Sequence, residues 1–314
     1  MNGFLDKIQK ANTIAILGHI RPDGDCVGSC LGLYNYIMDN YQEKQVVVFL
    51  QPIMEKFKFL KGADIIRNVP DRSIYDLAIS LDCGDTDRHG EFSGIYAGAR
   101  DTICLDHHQS NQGFGNYYYC DAGASSTCEV LYRYISHGII STECAECLYL
   151  GMVHDTGVFK YPATSKETMA IAGELIEKGV RTQYIIDETF YKVTFNQNKL
   201  TGRALLDARL YLDGKVIGTR ITTEMFEQYN TTKSDTDGII DKLRVTDGVE
   251  VAIFAYQLND ETYKFSLRSV SWVDVSKISV AFGGGGHIRA AGFEVKGDYE
   301  ENLSKILSMI EEQL

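Results

Sequence analysis

A doubly wound α/β domain with a parallel sheet, followed by a smaller α+β domain with a mixed sheet, is predicted by three features. Short, near-continuous apolar runs alternate with helix-like segments through the first half, as in parallel strands covered on both faces. After about Asp187 the pattern changes to paired strands around turn signals, as in hairpins. The chain has 314 residues, which at roughly 150 residues per domain suggests two domains.

Thr13–Leu17 reads as the first strand and Val27–Met38 as a helix with Leu31, Leu33, Tyr34 and Ile37 as its apolar positions. Gln45–Leu50, Asp76–Leu81 and Arg100–Leu105 read as the second to fourth strands. Ser126–His137, Glu143–Val153 and Ser165–Lys178 read as helices, the last opened by Ser165-Lys-Glu-Thr168, a helix-start signal. Phe190–Leu206 carries weak helical periodicity and is the candidate linker. The expected domains are therefore 1–187 and 207–314, joined by 188–206. Asp213-Gly214 lies between Ala208–Leu212 and Val216–Ile221 and signals a hairpin, because Asp-Gly suits the positive φ of a type I′ turn. Val249–Gln257 and Thr262–Val270 form a second strand pair around Asn259-Asp260, and Val273–Ala281 and Tyr299–Leu314 read as helices.

Composition excludes several function classes. Hydrophobic content of 44% and charged content of 24% are ordinary for a globular protein and argue against disorder. The formal charge of −12 disfavours stable duplex nucleic acid binding on a broad cationic face, while leaving room for a small phosphorylated ligand in a local site. No apolar run reaches the ~18 residues of a membrane span, and Met1–Ile8 has no signal-peptide core. A cytoplasmic protein without membrane partners is expected. Cys144-Ala-Glu-Cys147 is an isolated C-x-x-C and reads as small apolar residues in a reducing compartment.

The chemistry concentrates in four clusters of the first half: His19/Asp23/Asp25, Asp82, Asp106-His107-His108 and Asp155. Three of them directly follow predicted strands, and groups beyond the carboxyl ends of parallel strands converge on one crevice. Imidazoles and carboxylates without thiolates suit Mn²⁺ or another divalent first-row ion. Two such ions ~3.5–4 Å apart can activate a water and hold the attacking and leaving oxygens of a phosphoryl group. The carboxylates of Asp23, Asp25, Asp82 and Asp155 would balance two divalent charges, so an acidic protein can still accept phosphate there. Without cations the same carboxylates would repel one another. In the second half, Gly283–Gly286 ahead of His287 lets backbone N–H groups approach phosphate oxygens. Arg268 and Arg88 are candidate phosphate clamps through their guanidinium forks.

The ordered set His19/Asp23/Asp25, Asp82, Asp106-His107-His108 and Asp155 resembles the four motifs of the DHH phosphoesterases. The segment Gly283-Gly-Gly-Gly286-His287-Ile-Arg-Ala-Ala-Gly292-Phe is similar to the signature of the DHH-associated C-terminal domain. Asp106-His-His-Gln-Ser-Asn111 and Ala124-Ser-Ser-Thr127 resemble the stand-alone bacterial nanoRNases that also act on 3′-phosphoadenosine 5′-phosphate. The resemblance implies that His19, Asp23 and Asp82 hold one Mn²⁺, that Asp25, Asp82, His107 and Asp155 hold a second, and that Asp82 bridges them. It implies His108 beside the scissile phosphate, Asp106 orienting the histidines, and a hydroxide between the ions as nucleophile. It further implies an active-site cleft between the domains, with Gly284, Gly285, Gly286 and His287 on the nucleotide end. Cys26 stands where the family pattern suggests alanine, and a thiol there raises the question of oxidation sensitivity. His154 is read as no ligand, because neighbours on regular structure point apart. His89 and His137 are read as surface or cap residues, and Tyr117–Tyr119 as strand packing.

The expected activity is metal-dependent hydrolysis of short oligonucleotides (nanoRNA), of 3′-phosphoadenosine 5′-phosphate, or of both, with a homodimer left open. The alternatives are a cyclic or linear di-AMP phosphodiesterase, an inorganic pyrophosphatase, and a non-catalytic metal or nucleotide sensor.

Overall fold

The computed structural model describes residues 3–71 and 73–314. It divides into two units, Met1–Lys192 and Val193–Leu314.

The first unit opens with α1 (Gly3–Lys10), β1 (Thr13–Leu17), α2 (Gly24–Asn40) and β2 (Gln45–Phe49). It continues with β3 (Leu77–Leu81), α3 (Ser93–Gly98), β4 (Asp101–Asp106) and β5 (Tyr117–Cys120). It closes with α4 (Thr127–Ile135), α5 (Thr142–Asp155), α6 (Lys166–Glu177) and α7 (Thr182–Ile186). The strands form one sheet in the order β2-β1-β3-β4-β5, and every pairing is parallel. Ile14 and Ile16 face a core shared with α2, α4 and α5, while Ala15 and Leu17 face a second core with Phe92, Ile95 and Tyr96. Both sheet faces are thus covered, which is why the strands read as unbroken apolar runs. Chain order reverses between β1 and β3, so the carboxyl ends of these strands frame a topological switch point.

The second unit contains α8 (Phe195–Leu206), β6 (Arg209–Tyr211), β7 (Val216–Ile221), α9 (Thr223–Tyr229) and α10 (Ile239–Arg244). It continues with β8 (Val251–Asn259), β9 (Thr262–Ser269), α11 (Val275–Ala281), β10 (Gly285–His287), β11 (Ala290–Lys296) and α12 (Tyr299–Glu311). Its sheet runs β10-β11-β9-β8-β7-β6, antiparallel except for the β7–β8 pair. One face carries Val251, Ile253, Phe265 and Phe293 against α12, and the other carries Ile217, Ala252 and Phe254 against α8 and α10. Among the described residues no helix is long and apolar enough to cross a membrane.

Several expectations are refined. α2 starts at Gly24, capped by Asp23, so Asp25 lies in its first turn and not in a preceding loop. Within the candidate linker, α8 buries Leu200 and Ala204 in the second unit's core, and helical periodicity there reflects packing. The hairpin at Asp213-Gly214 forms, with Tyr211 paired to Val216. Its loop is longer than a type I′ turn and places Leu212, Asp213 and Gly214 at φ of 49°, 53° and 83°. The short α9, α10 and β10 carry too few residues to show a period.

α2 and α5 pack at backbone distance. A Cβ on Gly28 would lie 2.5 Å from the Cys147 carbonyl oxygen and 3.0 Å from the Gly151 nitrogen. Gly28→Ala must push the helices apart, and overpacking of this kind costs about 1–3 kcal/mol. A lower urea midpoint is expected, and an unchanged midpoint would contradict this packing.

Candidate metal centre

Three neighbouring parallel strands deliver the first residues. β1 ends at Leu17 and leads through Gly18 to His19, β3 ends at Leu81 and leads to Asp82, and β4 ends at Asp106 and leads to His107 and His108. Asp23 caps α2 by accepting from the Asp25 and Cys26 N–H groups, both at 3.1 Å. Asp155 is the last residue of α5. Beyond it the chain turns through the left-handed region at Gly157, Val158 and Phe159, with φ of 55°, 61° and 61°. Asp82 has φ of 59°, a conformation that aspartate tolerates better than most residues.

The side chains meet at short range. His19 Nε2 lies 3.6 Å from Asp23 Oδ1 and 3.5 Å from Asp82 Oδ2. His107 Nε2 lies 3.7 Å from Asp82 Oδ1, 3.9 Å from Asp25 Oδ2 and 3.0 Å from Asp155 Oδ2. Asp82 therefore turns one oxygen toward His19 and the other toward His107. Donors bound to one ion at ~2.1 Å lie about 3–3.5 Å apart, and both groupings approach that spacing. Asp25 and Asp106 are fully buried and Asp82 is 2% exposed. The ion-pair partners of Asp23, Asp25, Asp82, Asp106 and Asp155 are His19, His107 and His108. This donor set of hard oxygens and imidazoles, clustered in low dielectric, fits divalent first-row cations.

The surrounding hydrogen bonds fix orientation. The His19 Nδ1 atom sits 2.8 Å from the Ile20 carbonyl, which leaves Nε2 directed at the carboxylates. Asp25 accepts from the Thr127 N–H at 2.6 Å and the Cys128 N–H at 3.0 Å, so the first turn of α4 supports its charge. The Thr127 hydroxyl donates to Asp82 Oδ1 at 3.0 Å. Asp106 is engaged on both oxygens. It pairs with His108 Nδ1 at 2.8 Å and accepts from Asn111 Nδ2 at 2.7 Å. His108 is thereby held with Nε2 free on the rim, its side chain 43% exposed.

The charge balance explains the proton affinities. Burial opposes a charge on His19, but hydrogen bonds with Asp23 and Asp82 outweigh it and hold the imidazole far above the ordinary histidine range. Burial likewise opposes a charge on His107, and Asp155, Asp25 and Asp82 overcome it, pushing it up to about 10. Burial, reinforced by Asp82 and Asp155, holds Asp25 well above the usual carboxylate range. Burial raises Asp155 as well. Asp23 goes the other way despite burial, lowered to about 2 by His19. The hydrogen bond with Asp106 raises His108. The cluster thus gathers protons where a cation would otherwise supply positive charge.

Other histidines and cysteines lie apart from this role. His154 is held by Thr189 at 2.9 Å and packs edge-on against Phe57, and burial lowers it to about 4. His89 is not a surface residue. It is fully buried, 2.7 Å from the Ser80 hydroxyl and tilted against Tyr96, and burial lowers it to about 4. His137 is exposed. Cys26 is buried within reach of His19 and Asp82, but its sulfur accepts the His19 N–H at 3.2 Å and burial raises its thiol. Tyr119 packs on Phe4 and Tyr134, as strand packing requires. Arg88 lies half-buried in the turn Thr86–Phe92, and its carbonyl accepts from the Ile20 N–H at 2.8 Å.

In the second unit, His287, Ala290 and Arg268 form one cross-strand row over β10, β11 and β9. Gly285, Gly292 and Ser266 form the next row on the same face. A Cβ on Gly284 would strike Phe293, and one on Gly286 would strike the Ala290 carbonyl, at 2.4 and 2.5 Å. Gly285 is different, because a Cβ there meets nothing within 4 Å. Gly285 is exposed beside exposed His287 and half-buried Arg268; its carbonyl accepts from the Ser279 hydroxyl at 3.0 Å, and the Gly283 and Gly284 N–H groups are taken by the Val280 and Ser279 carbonyls.

Residues 13–152 match the N-terminal domain of the DHH family, and residues 213–314 match the DHHA1 domain. A probable bifunctional oligoribonuclease and PAP phosphatase NrnA of Streptococcus mutans is 30% identical over 301 residues, covering 92% of this chain and 91% of that protein. The chain belongs to the DHH family. The bifunctional oligoribonuclease and PAP phosphatase NrnA of Bacillus subtilis is 27% identical over 289 residues, 90% of each chain. Among solved structures, an exopolyphosphatase-related protein from Bacteroides fragilis superposes with a TM-score of 0.86 at 29% identity, covering 99% of this chain and 95% of that one.

In this DHH chain, sequence reasoning missed the linking roles of Thr127 and Asn111. Both fall in segments that resembled the family, but a threonine and an asparagine carry no signal of the partners they reach across the fold.

Cation binding at the proposed site must displace protons from His19 and His107, both raised. His107 is protonated below about 10, and only the neutral ring is a ligand. Mn²⁺ affinity should therefore increase as pH rises from 6 to 9, with proton release detected by calorimetry in buffers of different ionisation enthalpy. A buffer-independent enthalpy would count against these ligands.

Proposed function

We propose that the chain hydrolyses short oligoribonucleotides and 3′-phosphoadenosine 5′-phosphate at a centre of two Mn²⁺ ions. As a DHH-family member it is a hydrolase acting on phosphoester bonds. The observation that carries the two-ion reading is the division of the Asp82 carboxylate, Oδ2 toward His19 and Oδ1 toward His107, 3.5 and 3.7 Å away. His19, Asp23 and Asp82 would hold one ion, and Asp25, Asp82, His107 and Asp155 the other. Bound there, the ions would polarise phosphoryl oxygens and lower the pKa of a water.

The chain's own residues supply the rest. Asp106, buried and fixed by Asn111, orients His108 and favours its protonated form. A cationic imidazole on the rim stabilises charge that develops on the phosphoryl oxygens. Asp25 is kept in place by α4, so its geometry does not depend on the substrate. Arg268, Gly284, Gly285, Gly286 and His287 would take the nucleotide's phosphate, with Arg88 a clamp on the first unit. The formal charge of −12 opposes long polyanions and favours short substrates. The names of the Bacillus subtilis and Streptococcus mutans relatives support the same substrates.

Chromatography of reactions with 3′-phosphoadenosine 5′-phosphate, a dinucleotide, a five-mer and cyclic di-AMP tests the substrate class. Mn²⁺-dependent turnover of the first two is expected, and turnover of cyclic di-AMP alone would favour the di-AMP phosphodiesterase. Asp82→Asn, which keeps a residue tolerant of positive φ, should reduce turnover by on the order of 10³-fold with its melting temperature retained. Asp106→Asn should lose about 10–100-fold and move the pH profile, since His108 loses its anionic partner. Gly285→Ala should raise KM for a nucleotide and leave hydrolysis of a generic small phosphodiester intact. Equal loss on both substrates would show that the hairpin does not bind the nucleotide.

A further inference from the structure

We propose that the second unit carries a separate pocket for a nucleoside monophosphate, built on Arg203, Arg209 and Arg220. The cavity measures about 410 Å³ and is lined by these arginines with Leu206, Tyr211 and Tyr299, among others. A volume of this size suits a small organic ligand.

Its position separates it from the Gly-rich hairpin. β10 is at one edge of the sheet, while β6 and β7 are at the other. Four strand spacings between β10 and β7 amount to roughly 19 Å. The faces differ as well. Arg220 pairs with Ala255 and Gly218 with Ile253, on the face covered by α12. Arg268 pairs with Ala252, on the opposite face.

Its chemistry calls for an anion. Three guanidinium groups face two carboxylates, Asp207 and Glu300, which leaves a positive excess on a chain of formal charge −12. Arg203 uses Nε to reach Asp207 at 2.6 Å, and its terminal nitrogens remain available. Arg220 lies 4.4 Å from the Tyr299 ring centroid, a stack that holds the guanidinium in place. Its nearest carboxylate oxygen, on Glu300, is 3.8 Å away, beyond hydrogen-bond length. Arg209 is exposed and paired with Gly218 through its backbone, and its guanidinium makes no hydrogen bond or ion pair with a described residue. These donors match the geometry of phosphate oxygens.

The apolar part of the cavity argues for more than inorganic phosphate. Leu206 is 82% exposed and stands beside Tyr211 and Met225 in the lining. A phosphate with a flat, weakly polar ring attached satisfies both parts. The choice of a nucleoside monophosphate among organophosphates rests on the proposed activity, because hydrolysis of short oligoribonucleotides releases such monophosphates. The pocket would then bind a product of the chain's own reaction.

The full chain, freed of metal by chelation, is treated with phenylglyoxal with and without AMP, and modified arginines are mapped by mass spectrometry. AMP should shield Arg209 and Arg220, and the shielding should persist in Gly285→Ala and Asp82→Asn. Arg209→Gln, on an exposed strand position that leaves the Arg220–Tyr299 stack intact, should weaken AMP binding by about tenfold or more in calorimetry, as loss of a charged hydrogen bond predicts. Inorganic phosphate should shield more weakly than AMP. Unchanged modification of both arginines, unaltered AMP affinity in Arg209→Gln, or equal shielding by inorganic phosphate would overturn the proposal. Turnover is not part of the readout, so an inactive chain that still shields these arginines with AMP would refute the proposed activity and leave the pocket standing.

Discussion

Buried like charge is the constraint around which the first unit is organised. Asp25, Asp82 and Asp106 are almost entirely removed from solvent, and Asp23 and Asp155 close around the same point. Carboxylates this close repel one another, and burial holds Asp25 and Asp155 above the usual carboxylate range. The fold answers with imidazoles, with N–H groups from α4, and with hydroxyl and amide donors from Thr127 and Asn111. None of these brings a full permanent positive charge. The arrangement is therefore electrostatically incomplete without cations, and its histidines and two of its aspartates take up protons in their place.

The scaffold imposes this geometry through few devices. Parallel pairing sets the ends of β1, β3 and β4 side by side. Close packing of α2 on α5 brings Asp25 and Asp155, from distant parts of the sequence, to the same crevice. Left-handed backbone at Asp82 and through Gly157–Phe159 re-aims the chain immediately beside two proposed ligands. Such conformations carry a cost of order 1–3 kcal/mol for a residue other than glycine, and tight packing around them keeps them in place. The two histidines of one motif divide their tasks by direction. His107 turns into the carboxylates, and His108 stays on the rim, held by Asp106.

The second unit uses its sheet twice. Its small-residue rows at β10 and β11 expose backbone, which suits a phosphate approached without side chains in the way. Its other edge collects guanidinium groups over a buried tyrosine. Both are proposed anion sites on an acidic chain, one at exposed glycine backbone and one at arginine forks.

Much of this was legible in the amino-acid order. The apolar runs marked four parallel strands, because burial on both faces leaves no polar alternation to confuse them. His19, Asp23, Asp25, Asp82, His107 and His108 stood out as carboxylates and imidazoles just after strands, and Asp155 as a carboxylate after an apolar helix. Asp-Gly at 213–214 marked a hairpin through its tolerance of positive φ. The sequence alone thus determined the α/β class, the types of donor and their strand-end placement, all properties of local pattern. Tertiary structure alone decided which oxygen of Asp82 faces which histidine, that His89 belongs to the core, that α8 packs into the second unit, that Thr127 ties Asp25 to Asp82, and that Asn111 fixes Asp106. It also assembled three ordinary-looking arginines around one cavity. Those outcomes depend on contacts between residues far apart in the chain, where side-chain direction and distance are set by packing and carry no periodic trace.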